Sequence, residues 1–175
     1  LRTLGKGPAL VALLVDLFKG VAAVWFARWF YSLPTIATAA PGSIDLPLWT
    51  TWAVTFAALL ALLGHSRSIW INFTGGKSAA TGLGVLFAMA WQVGLGTALT
   101  FGLVLALFRI VSLSSISAAI ASIGLMWAFH QPLAYQLMAI AGGIYVIWRH
   151  KANIQRLLAG TEPRIGQKHQ ESGQG

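Results

Sequence analysis

Residues 8–31 are almost continuously apolar, and the same texture returns at 48–63, at 78–91, on to 108, from a serine run to 129, and at 133–148. A helix needs about 20 mostly apolar residues to cross a bilayer core, and fewer where it is buried among others. Polar punctuation separates the runs. Residues 32–47 hold three prolines, a glycine and Asp45, which reads as a loop. Residues 64–77 are polar and basic, with Ile69-Trp70-Ile71 suited to the interface. Gln92-Val93-Gly94, the serine-rich stretch 112–117 and His130-Gln131-Pro132 read as turns. Pro8 after Gly7 suits a first helical turn. The pattern predicts an all-α, polytopic transmembrane helical bundle with about six spans, the one at 78–91 being short for a lone crossing. Beyond 148 the chain is basic. Residues 149–158 suit an amphipathic continuation of the last span, with Gly160 as stop signal and Pro163 behind it. No fixed-period repeat is apparent.

Composition agrees. The chain of 175 residues is 57% hydrophobic and 9% charged, whereas soluble domains carry about 25% charged residues. So short a chain has little interior in which to hide that apolar surface from water. The net charge of +8 would suggest nucleic acid in a soluble protein; here it follows from topology. With the residues before Pro8 on the cytoplasmic side, six crossings leave ten of the twelve Lys and Arg on that side, all but Lys19 and Arg28. That is a strong positive-inside bias, and nucleic acid loses its support as a partner. The absence of cysteine excludes disulfides, thiolate catalysis and Cys-ligated zinc. The opening residues resemble neither an initiator region nor a signal peptide, which suggests a start inside a longer protein.

Topology also gathers the polar chemistry. Helices starting near Pro8, Ser78 and Ser115 would share the cytoplasmic face, and helix N-termini attract anions through unpaired N–H groups. Each start has a cation beside it: Arg2 and Lys6, Lys77, and Arg109. Gly75-Gly76 and Ser112/Ser114/Ser115 add flexible or hydroxylic donors. Ordinary capping beside basic anchors is the bland alternative. Gly75-Gly76-Lys77-Ser78 is not a nucleotide P-loop, because Ile71 stands where its first glycine belongs and no strand precedes it. A simpler phosphate cradle of two glycine N–H groups and one Lys77 charge stays open. His150 and Asn153, three apart, share a helical face, although a basic interfacial anchor would look the same. His65 reads as a helix end and His130 as part of an outside turn. Asp16 and Lys19 lie within the first span, where unpaired charges are expensive, and their spacing suits a structural pair. No metal-ligand cluster is visible.

Several segments together carry a family resemblance: residues 1–6, 14–20, Gly75-Gly76-Lys77 with 80–84, Val111-Ser112-Leu113-Ser114-Ser115, and above all 149–163. In this order they resemble the PlsY-type glycerol-3-phosphate acyltransferases of bacteria over nearly the whole chain. The resemblance implies acyl transfer from acyl phosphate to the 1-hydroxyl of glycerol 3-phosphate in the bacterial inner membrane, giving lysophosphatidic acid and phosphate, without cofactor. It also implies seven spans, of which the chain holds the last six as one domain over residues 1–160, followed by a cytoplasmic tail at 161–175. A Ser-Gly-Asn–type run expected just before the position of Arg2 is absent, so the chain as it stands is expected to be inactive. Ser78 replaces the family's usual glycine and is expected to act as a helix cap. Thr74 replaces a common lysine.

The expected site has Arg2, Lys77 and Ser115 on phosphate oxygens, helped by Gly75 and Gly76 N–H groups and by Ser112. His150 and Asn153 position the reacting groups, with His150 a candidate general base. Arg109 is expected to anchor headgroups rather than bind substrate. Two rival readings are a small-solute transporter, which needs polar groups along a path through the bilayer, and a catalytically incomplete membrane scaffold.

Overall fold

The computed structural model describes residues 6–39, 41–66 and 76–166, and among these there is helix but no strand. Eight helices follow in order: α1 Lys6–Ser32, α2 Pro34–Ala39, α3 Leu46–Ser66, α4 Ala79–Met89, α5 Trp91–Phe108, α6 Val111–Ala128, α7 Leu133–Arg149 and α8 Lys151–Leu158. Helix is what an apolar solvent requires, because each backbone N–H and C=O must find its partner within the segment. Among the described residues four stretches are long and apolar enough to cross a membrane: Leu10–Ser32, Leu46–Ser66, Trp91–Phe108 and Val111–Ala128. The chain is therefore a multi-pass membrane protein. Its 11-residue α4 rises only about 16 Å, half of a roughly 30 Å hydrocarbon core. It survives by burial: Thr81, Gly84, Val85 and Leu86 are all enclosed by neighbouring helices.

Local breaks differ from the sequence reading in three places. The loop at 32–47 contains α2, opened by Pro34 at a helix start where proline's missing N–H costs nothing. Asp45 caps α3, its Oδ1 accepting the Leu48 N–H at 3.0 Å. The turn between α4 and α5 is the single extended residue Ala90 (φ −151°), not Gln92-Val93-Gly94. Gly94 lies inside α5, where a Cβ would strike Phe87; its glycine marks close approach rather than a turn. The serines at 112–117 are helical, not a turn. Ser114 and Ser115 donate their hydroxyls to the carbonyls of Ile110 and Val111 at 2.8 and 3.0 Å, so the turn-forming side chains are absorbed by the helix. The break falls earlier, at Arg109 (φ 58°) and extended Ile110.

Val24, Val54, Leu62, Val85, Met126 and Met138 form much of the core. Phe18, Trp25, Leu60, Leu99, Leu103 and Leu107 point outward, an apolar surface that belongs against lipid. Close backbone contact joins α1 to α4. A Cβ on Gly20 would be driven into the Thr81 carbonyl, and one on Gly84 into the Leu17 carbonyl. Such small-residue contacts hold membrane helices together, since lipid supplies no hydrophobic drive between them. Arg28 ties one end of the bundle, donating to the Met89 carbonyl at 3.1 Å and to the Tyr135 hydroxyl at 3.3 Å. At the opposite end the starts of α4 and α6 meet the ends of α3 and α7 around a cavity.

Candidate functional site

The cavity has a volume of about 1030 Å³. Its inner wall is apolar, with Leu86, Phe101 and Met138 among its lining; its mouth is polar. Gly76, Lys77, Ser112, Ser115, His150 and Asn153 all line it. The other two expected site residues, Arg2 and Gly75, lie outside the described residues, as does Thr74.

The polar mouth is one connected network. Lys77 Nζ donates to Asn153 Oδ1 at 2.5 Å. Asn153 in turn donates through Nδ2 to Glu162 Oε1 at 2.6 Å. The same carboxylate oxygen accepts the Ser112 hydroxyl at 2.7 Å, and Oε2 accepts Arg156 Nε at 2.7 Å. Arg149 Nη2 donates to the Gly76 carbonyl at 3.1 Å. Burial lowers the Lys77 pKa; the Glu162 charge opposes this, while Arg156 and Arg149 add to it.

His150 interrupts the helix between α7 and α8 and is 3% exposed. Its Nδ1 lies 2.7 Å from the Val146 carbonyl. A carbonyl only accepts, so Nδ1 carries the proton and Nε2 of the neutral ring keeps a lone pair. Burial is the main cause lowering this pKa; the Val146 bond and Glu162 oppose it, and Lys77 and Arg149 reinforce it. The ring is therefore neutral at physiological pH.

Sequence reasoning missed Glu162. Among residues 161–166, Glu162 and Pro163 line the cavity, and the Ile165 N–H reaches the Arg109 carbonyl at 2.8 Å. Gly160, at φ +70°, makes the reversal that returns this segment to α6. Burial alone would raise the Glu162 carboxyl, but bonds from Asn153, Ser112 and Arg156, with the Arg156 charge, outweigh it and hold the pKa below 4.5. The available signal was an acid among only four in the chain, set inside a basic tail.

Three further expectations change. Ser78 does not cap α4. It sits in the left-handed region at φ 59° with no side-chain cap bond; its hydroxyl donates to the Leu62 carbonyl at 2.7 Å and also pairs with Ser66. Ser115 lies in the second turn of α6 rather than at its start, because the helix begins at Val111. Asp16 does pair with Lys19, at 3.1 Å, but it also faces His65 Nδ1 at 3.4 Å. His65 is thus more than a helix end. His130, exposed in the turn after α6, stays away from the cavity.

The arrangement suits a molecule with an anionic head and an apolar body. Cations and hydroxyls gather at the mouth, an imidazole lone pair is available beside them, and an apolar space lies behind. Comparison with known proteins points the same way. Residues 1–160 match the family described as glycerol-3-phosphate acyltransferase. A glycerol-3-phosphate acyltransferase of Acaryochloris marina is 60% identical over 168 residues, which cover 96% of this chain and 75% of that protein. Two crystal structures of PlsY, an integral membrane glycerol 3-phosphate acyltransferase, share the fold at 33% identity. Its glycerol 3-phosphate form gives a TM-score of 0.78 and covers 94% of this chain and 74% of that one. Its lysophosphatidic acid form gives 0.77, covering 94% and 76%.

Proposed function

This chain belongs to the glycerol-3-phosphate acyltransferase family, and from that premise we propose that it moves an acyl group from acyl phosphate to the 1-hydroxyl of glycerol 3-phosphate. The products are lysophosphatidic acid and inorganic phosphate, the first step of phospholipid synthesis. One observation carries the reading: Lys77, Asn153, His150 and Ser112 converge at the polar mouth of a largely apolar cavity. Both substrates are phosphate anions, and one of them carries an alkyl chain.

Lys77 and the Gly76 N–H take phosphate oxygens, and Ser112 and Ser115 join them by turning their single hydroxyl protons away from Glu162 and Val111; the sequence reading assigns Arg2 and Gly75 to the same phosphate. The glycerol hydroxyl attacks the acyl carbonyl carbon, the bond from that carbon to the bridging phosphate oxygen breaks, and the hydroxyl proton ends on phosphate. Phosphate is a competent leaving group, so no acyl-enzyme is needed. In this reading His150 Nε2 orients the attacking hydroxyl and relays its proton toward phosphate. Asn153, held by Lys77 and Glu162, positions the same group. Single-turnover assays with acyl phosphate and labelled glycerol 3-phosphate in proteoliposomes test the reading. Labelled lysophosphatidic acid with one phosphate released per turnover is expected. Counterflow of a solute without acyl transfer would overturn it.

For topology we propose six crossings, α4 and α7 joining the four longer helices, in the bacterial inner membrane. The cavity mouth and C-terminus face the cytoplasm. The ten-to-two bias of basic residues supports this orientation. Because the chain lacks cysteine, Gly42→Cys and Ala159→Cys, both at exposed positions, report each side cleanly. In spheroplasts an impermeant maleimide should label only the first; the reverse pattern would invert the topology.

A further inference from the structure

The last turn of α3 grips the residues that lead into α4. His65 Nδ1 faces Asp16 Oδ1 at 3.4 Å. At that separation the contact is electrostatic, and the Asp16 carboxylate on α1 favours a ring whose Nδ1 carries a proton. The opposite ring edge then lies against Gly76: a Cβ there would collide with His65 Nε2. On the other side of the same residue, Arg149 holds the Gly76 carbonyl at 3.1 Å. Two residues on, the Ser78 hydroxyl donates to the Leu62 carbonyl at 2.7 Å and pairs with Ser66. Those bonds hold a non-glycine residue in the left-handed region (φ 59°), a strained conformation that persists only where its surroundings impose it. Asp16, His65 and Gly76 all line the cavity.

We propose that Asp16 and His65 form a positioning pair that sets the Gly76–Lys77 backbone for the phosphate of glycerol 3-phosphate. This deepens the acyltransferase reading and rests on it. The pair acts through Gly76 rather than on substrate, so its loss should appear in substrate saturation and not in chemistry. The ring also explains the glycine, since it occupies the space a side chain at 76 would need.

The test measures kcat and KM for both substrates with the full chain in proteoliposomes. His65→Ala should raise KM for glycerol 3-phosphate roughly tenfold, the effect of misaligning one charge-assisted hydrogen bond. Its kcat should stay within about threefold and its KM for acyl phosphate should not move. Asp16→Ala should match it, with the double variant no worse than either single one. Gly76→Ala should be strongly impaired alone and less impaired in the His65→Ala background, where the colliding ring is gone. Additive losses in that cycle, or an unchanged glycerol 3-phosphate KM in His65→Ala, would overturn the pairing. If His65→Ala is not recovered folded, His65→Asn and His65→Gln decide. Asparagine keeps a donor near Nδ1 and should retain near-wild-type KM, whereas glutamine should not; equal KM values would overturn the proposal. A wild-type chain that makes no lysophosphatidic acid refutes the acyltransferase reading instead.

Discussion

Replacing Glu162 with alanine removes the acceptor on which the polar mouth of the cavity converges. Its Oε1 takes bonds from Asn153 and Ser112 at 2.6 and 2.7 Å, and its Oε2 takes one from Arg156 at 2.7 Å. The Glu162 side chain is 7% exposed while that of Arg156 is 45% exposed. Leaving a buried donor without an acceptor costs about 1–3 kcal/mol. Solvent compensates most of the Arg156 loss, which is discounted to below about 1 kcal/mol. The two buried donors then set the total at about 3 kcal/mol, spent on holding Asn153 and Lys77 in register. Glu162→Ala should accordingly lower kcat/KM about a hundredfold, at about 1.4 kcal/mol per factor of ten. Glu162→Gln keeps one carbonyl oxygen for Asn153 and Ser112 and forfeits mainly the exposed Arg156 bond, so a loss of less than about fivefold is expected. Initial rates of lysophosphatidic acid formation, with thermal unfolding of the detergent-solubilised protein as control, separate the two. Equal losses in the Ala and Gln variants, or an Ala variant within threefold of wild type, would refute the reasoning.

Lys77→Ala removes the cation bound to Asn153 and should raise KM for glycerol 3-phosphate more than KM for acyl phosphate in the same steady-state assay; the opposite split would reassign the phosphate cradle. Because burial lowers the His150 pKa, kcat/KM should be flat above the ordinary histidine value of 6.5 and fall only below it, and His150→Gln should abolish that limb; near-wild-type turnover in this variant would remove His150 from both its roles. The depressed Glu162 carboxyl binds a proton less readily folded than unfolded, so its contribution to stability is full above pH 4.5 and is lost as pH falls through its lowered value; melting temperature against pH should show a slope there that Glu162→Gln lacks. Gly84→Ala forces a methyl into the Leu17 carbonyl and should lower the yield of folded protein by loosening α1 from α4, as read by size-exclusion chromatography; a fully monodisperse variant of wild-type stability would show that the two helices yield more easily than their geometry implies.

Much of the bundle was legible because lipid-length apolar runs are hard to disguise: α1, α3, α5 and α6 all lie over apolar runs in the sequence, with α5 and α6 beginning a few residues earlier than the pattern put them. The errors share one cause. Serine and glycine mark turns in water, but within these helices Ser114 and Ser115 bond back to carbonyls and Gly94 makes room for Phe87. Local spacing correctly paired Asp16 with Lys19. It could not see His65, which reaches Asp16 only once α1 and α3 pack side by side. Lys77 and Asn153 were both named from sequence, yet the bond between them spans 76 residues, a separation at which no helical periodicity speaks. Glu162 lies inside the matching segment 149–163, but the segment alone gives it no task, because its partners Ser112, Asn153 and Arg156 meet only after Gly160 reverses the chain.

That reversal has a consequence for biogenesis. Chains emerge from the ribosome N-terminus first at roughly 5–20 residues per second, so the α1–α4 contact can form in the membrane well before residue 162 has been made. The latch on Ser112 and Asn153 therefore closes after that contact can form, and until it closes the nascent chain has its membrane helices but lacks the Glu162-centred connection at the mouth. A premature stop or a proteolytic cut between 158 and 162 would leave every membrane helix intact and still uncouple Asn153 from α6. Maturation of the site is thus timed by the synthesis of Glu162 rather than by insertion of the preceding helices into the bilayer.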